Sequence, residues 1–149
     1  MRKSSLILLA CILILILLGC SNGNKDKADE KYVMNGSVAY GAADNSGLEK
    51  TIVTYKMTIT GSVEDINNID AQQPLVNPDY MELLVENGPH ESKIVNENRP
   101  YLEISGRFVF TTEGKTKEEI DDMDLFKGIE IIDQDNNSHV LIINGYKEK

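Results

Sequence analysis

The side chains in this 149-residue chain that could do chemistry are mostly acidic. Asp133, Asp135 and Asn137 alternate as Asp-x-Asp-x-Asn, the spacing with which the first half of a calcium loop offers its oxygen ligands. The match then fails. Ser138 stands where such a loop has glycine, and Asn144 where it has a bidentate glutamate. Asp and Asn at these positions read instead as turn formers. A second acidic set, Glu118, Glu119, Asp121, Asp122 and Asp124, offers the hard oxygens calcium prefers. Consecutive acids scatter around a helix, however, and acids near an N-terminus favour the helix dipole, so this set reads as a solvated helix start. His90 and His139 are too few for a typical zinc site without a carboxylate, and the sequence places them in a turn and at a strand start. No Gly-x-Ser-x-Gly is present, and Gly41-Ala-Ala-Asp-Asn-Ser-Gly47 lacks the Lys and the following helix of a phosphate loop. The expectation is a chain with no catalytic residues, no metal and no cofactor.

The charge balance narrows the partners. Fifteen basic residues face 24 acidic ones, for a net charge of -9 and a pI near 4.7. A nucleic-acid binder needs a basic surface to displace phosphate counterions, so that class is excluded. Beyond Arg2 the only arginines are Arg99 and Arg107, which weakens any case for a carboxylate or polyanion clamp. The only cysteines, Cys11 and Cys20, lie near the N-terminus, so neither a disulfide framework nor a Cys-ligated zinc site is expected in the body of the chain.

Apolar residues are unevenly placed, with fifteen of the 61 in the first twenty positions. Arg2 and Lys3 precede Leu6 to Leu18, thirteen residues without a charged or polar side chain. As a helix this run would reach about 20 Å, short of a roughly 30 Å hydrocarbon core, but it suits the h-region of a secretory signal. Leu17-Leu18-Gly19-Cys20 follows directly. This segment resembles the lipobox of bacterial lipoproteins, with Leu18 a tolerated rather than favoured residue at its position. The resemblance implies a signal peptide over 1–19, a diacylglycerol thioether on Cys20, and cleavage between Gly19 and Cys20. Cys11 would leave with the signal. Each buried methylene is worth roughly 0.8 kcal/mol, so two or three acyl chains on Cys20 would make a lasting anchor where one would not. The implied place is the extracytoplasmic side of a cell membrane, with the membrane as partner through Cys20. Ser21 is not the retention Asp of Gram-negative sorting, so in a host with an outer membrane the destination would be there.

The processed chain, 20–149, carries a charge of -11. Residues 20–31 read as a lipid-anchored flexible linker, charged and Gly/Asn-bearing, with Ala28 as the one apolar residue after Cys20. As coil, the eleven residues Ser21 to Lys31 reach about 18 Å r.m.s..

From residue 32 onward the hydrophobic period is mostly two. Val53, Tyr55, Met57 and Ile59 alternate with Thr54, Lys56, Thr58 and Thr60, a strand with one face buried. A second strand runs from Leu102 to Thr111 after Pro100, and Gly106 inside it calls for a bulge or for a large residue packed above it. Gly128–Asp133 and His139–Ile143 flank a five-residue loop as a closing hairpin. Tyr32–Tyr40 and Tyr80–Val85 are further strands, and Asn87-Gly88-Pro89-His90 a turn. Gly61 to Pro78 reads as a polar loop with a short strand at 66–69. Thr116 and Glu119 form a capping box that predicts one or two helical turns over 117–124.

Many short strands, frequent turns and at most one short helix predict an all-β antiparallel sandwich over 32–149, with a small β-barrel as the alternative. In order and patterning, Thr54–Thr60, Gly106–Phe110, 115–124 and 129–143 resemble immunoglobulin-like domains of Gram-positive surface lipoproteins, without the Cys…Trp…Cys core of antibody domains. The expected function is a non-enzymatic, lipid-anchored module at the cell surface, serving an interaction or accessory role with an envelope protein or ligand. The alternatives are a small-ligand or cation-binding lipoprotein and, further off, an envelope hydrolase built from carboxylates.

Overall fold

The computed structural model describes residues 31–43, 47–96 and 98–143. Two antiparallel sheets pack as a sandwich. The strands are β1 (Tyr32–Ala42), β2 (Lys50–Gly61), β3 (Ile69–Val76), β4 (Leu84–Val95), β5 (Tyr101–Thr111), β6 (Phe126–Asp133) and β7 (Ser138–Ile142). One sheet has the order β1-β2-β5-β4 and the other β3-β6-β7. Those two orders are the constant-type immunoglobulin arrangement.

The core follows from the period of two. Val53, Tyr55, Met57 and Ile59 on β2 are buried, as are Leu102, Ile104, Phe108 and Phe110 on β5, while Thr54, Lys56 and Thr60 face water. Ile129 and Ile131 of β6 close against them from the other sheet. Antibody domains join the strands corresponding to β2 and β6 by a disulfide packed on tryptophan. Here the same two strands are joined by stacked rings. Tyr55 lies 4.5 Å from Phe126 at an interplanar angle of 15°, and Phe108 joins the cluster at 5.7 Å from Tyr55 and 6.4 Å from Phe126.

The middle of the chain departs from expectation. Instead of a single short helix, the described residues hold two, α1 (Val63–Asn67) and α2 (Lys117–Asp122), together with a 3-10 helix at Pro78–Leu83. α1 forms because the Ser62 hydroxyl caps the Asp65 N–H at 3.0 Å and Ile66 drops fully into the core. The strand after it is Ile69–Val76, longer than expected and later, and it runs through Pro74. β3 is an edge strand, so the missing donor costs it no ladder bond on its free side. Tyr80–Val85 is not a strand. Asn77 caps Asp79 N–H at 3.2 Å and Pro78 opens the 3-10 helix, which consumes the run up to Leu83. Nor is Asn87–His90 a turn. It stays within β4, whose pairing with β5 shifts between Asn87 and His90. Such an irregularity is tolerated on an edge strand, where only one side must pair. α2 has the expected capping box, with Thr116 N–H donating to Glu119 Oε2 at 2.7 Å and Glu119 N–H to Thr116 Oγ1 at 3.2 Å. Among the described residues no helix is long and apolar enough to cross a membrane.

Candidate functional site

Cys20, the lipid-attachment residue expected from the sequence, lies outside the described residues, as do Cys11 and the whole of 1–30. The described domain offers three places where polar chemistry is concentrated.

The first is Asp133 at the end of β6. Its carboxylate is buried and accepts from five donors. Lys31 Nζ is at 2.8 Å, Asn137 N–H at 2.9 Å, Asp135 N–H at 3.1 Å, Asn137 Nδ2 at 3.2 Å and His139 Nε2 at 3.2 Å. The Lys31 ammonium, foremost, and the Asn137 amide hold the carboxyl well below the usual carboxylate range. The Asp-x-Asp-x-Asn pattern thus builds a turn, with Asn136 left-handed at φ 60°, rather than displaying free oxygens. A calcium ion at Asp133 would have to displace a lysine. Lys31, assigned by sequence to the linker, is therefore bonded into the domain. The Tyr32 ring beside it meets His139 edge-on at 5.1 Å.

The second is Tyr55. Its ring passes over Gly106, its cross-strand partner, and its hydroxyl lies 2.6 Å from Nδ1 of His90 on β4. Burial pushes the phenol up to about 12, so the hydroxyl keeps its proton and stays hydrogen-bonded to His90 Nδ1. Sequence reasoning missed this pair. The signal was Gly106, which called for a large partner, and Tyr55 is that partner.

The third is an open groove of about 670 Å³ against β2, β5 and β4, lined by Lys56, His90, Glu91, Lys93, Glu103 and Ser105 among others. Lys93 and Glu103 pair across it at 2.9 Å, each stabilising the other's charge. Volumes of roughly 300–1,000 Å³ hold small molecules, but those sites are mostly apolar. This one carries two cations and two anions and suits a polar, overall neutral surface.

The remaining candidates stay apart. Glu118, Glu119, Asp121 and Asp122 are exposed on and around α2. Arg107 pairs with Glu86 at 2.9 Å on the surface. Among the described residues no three His, Cys, Asp or Glu side chains converge as a metal set. No family model matches the chain, and no curated protein or solved structure matches it either.

Proposed function

We propose that the chain is a lipid-anchored, non-enzymatic β-sandwich of the bacterial envelope, held to the extracytoplasmic face of a membrane through acylated Cys20 and serving there as an interaction or accessory module. One observation carries the reading. A charge-free run of thirteen residues ends in Leu17-Leu18-Gly19-Cys20, followed by a polar linker and then the sandwich. Two polar pairs are built into the described domain. Its buried acid is neutralised by Lys31, and its buried phenol is held on His90. A second reading, a small-ligand binder, is favoured by the groove beside Lys93 and Glu103. A ligand at 100 times its Kd would add about 2.7 kcal/mol to stability, which a thermal-shift screen against envelope components would register.

The test of the first reading is Cys20→Ser in a bacterial host. The variant should accumulate as a longer, unacylated precursor, while wild type partitions with membranes at the mass of the diacylated chain beginning at residue 20. Processing of the variant to the wild-type chain length would overturn the assignment.

A further inference from the structure

Four strands end the two sheets, and three of them are blunted against further pairing. β4 carries Pro89, two register shifts and the charges of Glu86, Glu91 and Lys93. β3 carries Asp70, Pro74 and two register shifts. β7 is five residues long. These are the usual protections of an exposed edge. β1 has none of them. Its eleven residues, Tyr-Val-Met-Asn-Gly-Ser-Val-Ala-Tyr-Gly-Ala, contain no charge and no proline, in a chain of which 26% of residues are charged. It pairs with β2 in unbroken register from Tyr32 to Ala42, so its other side presents a straight, regular row of amide and carbonyl groups to which no described strand bonds.

We propose that β1 is the self-association edge of this protein: two copies pair β1 to β1 antiparallel about Ser37, joining their four-stranded sheets into one of eight. Two features of the strand select a second copy over an unrelated peptide. Reflection about Ser37 sets Tyr32 opposite Ala42, Val33 opposite Gly41, Asn35 opposite Ala39 and Val38 opposite Gly36, and leaves Met34 opposite Tyr40 as the one pair of large residues, an aromatic contact of the kind that stabilises a ladder. Each copy is strongly acidic, and like charges directly opposed destabilise a sheet. β1, the longer uncharged edge, is one on which a two-fold pairing opposes no charges in any register. The interface is isologous and therefore closes at the dimer.

The test uses the full-length chain in detergent. Sedimentation equilibrium of wild type should give a reversible dimer at micromolar concentrations. Ser37→Asp places two carboxylates face to face at the dyad, while in the monomer its cross-strand neighbour is Lys56, which favours the change. It should weaken the dimer about tenfold with the fold intact by circular dichroism. Ser37→Cys, oxidised with diamide, should yield a tryptic fragment spanning 32–50 linked to itself. Asn35→Cys should not cross-link in this way, because its own copy would lie four residues away along the ladder, about 13 Å. A monomeric wild type, a dimer indifferent to Ser37→Asp, or equal cross-linking at 35 and 37 would each overturn the proposal. None of these measurements depends on whether Cys20 is acylated.

Discussion

A methyl group on Gly106 would lie 2.3 Å from the Tyr55 hydroxyl oxygen, 2.7 Å from Cζ and 3.0 Å from the Pro89 carbonyl. The ring cannot retreat freely, since Phe108 and Phe126 pack against it and His90 holds its hydroxyl. Gly106→Ala should therefore cost about 1–3 kcal/mol through overpacking and the loss of the Tyr55–His90 bond. Gly41 makes the control. A Cβ there meets nothing within 4 Å, so Gly41→Ala should stay within about 0.5 kcal/mol of wild type. Urea unfolding of both variants decides the matter, and equal midpoints would mean that the Tyr55 ring is not pinned. The same residue scale explains why Asp133 is a poor cation ligand although its sequence context mimics one. Its oxygens are already taken by Lys31, Asn137, Asp135 and His139.

Among the elements, β2 and β5 are the strands that position everything else, and their faces can be tested directly. Phe108 is buried against Tyr55, Phe110 and Phe126, so Phe108→Ala should leave a cavity and cost about 3–5 kcal/mol. Lys56 projects from the other face of β2, and Lys56→Ala should cost no more than about 0.5 kcal/mol. Comparable losses in urea unfolding would mean the faces are exchanged, and the sandwich could not stand. These two strands were legible because each has one dry and one wet face, which writes a period of two into the chain. α2 was legible through a local device, Thr116 with Glu119. The elements that escaped sequence reading lack such a signature. α1 is a single turn carrying one core residue, Ile66, too short for any period to register. Leu83 and Leu84 are adjacent apolar residues that end one element and begin another, and only the Asn77–Pro78 cap told against a strand there. Asn87-Gly88-Pro89 has turn composition, yet the neighbouring β5 imposes extension on it and absorbs the mismatch as a register shift. The proposed lipid attachment at Cys20 could be put forward from the chain because its signal is contiguous. The Tyr55–His90 pair could not, because it joins two strands that are not even neighbours in the sheet.

At the scale of the whole molecule, the Lys31–Asp133 pair joins residues 102 positions apart, tying the entry of the chain into β1 to the closing hairpin. This pair gives the domain a defined response to acid. The Asp133 carboxyl is held below the usual range, chiefly by Lys31, then by the Asn137 amide and by His139. In the unfolded chain it titrates near an ordinary aspartate, about 3.9. Below that pH the unfolded state binds a proton that the native state refuses, so stability falls as pH falls. The contribution of Asp133 is thus fully present above about pH 4 and is lost progressively as pH falls toward its native-state titration. Lys31 has the opposite sign. Its pKa is raised, mainly by the bond to Asp133, so its share persists at neutral pH and is lost only as alkali titrates the ammonium above the ordinary lysine value of 10.5. Other charges face the pair. Asp65 lies 3.9 Å from Lys31 Nζ, and His139 adds a cation beside Asp133 once it is protonated. Neither reverses the sign at Asp133, because the Lys31 bond and the turn amides remain. Asp133→Asn keeps the shape of the turn but removes the titrating group. Its melting temperature should be lower than wild type at pH 7, and the gap should narrow as pH drops from 5 to about 2.5, because only in wild type does the unfolded chain take up a proton at residue 133 in that window while the folded chain does not. Melting curves that stay parallel across that range would show that Lys31 and the hairpin amides do not hold the Asp133 proton off, and that the chain entry is fixed by the packing of Tyr32 alone.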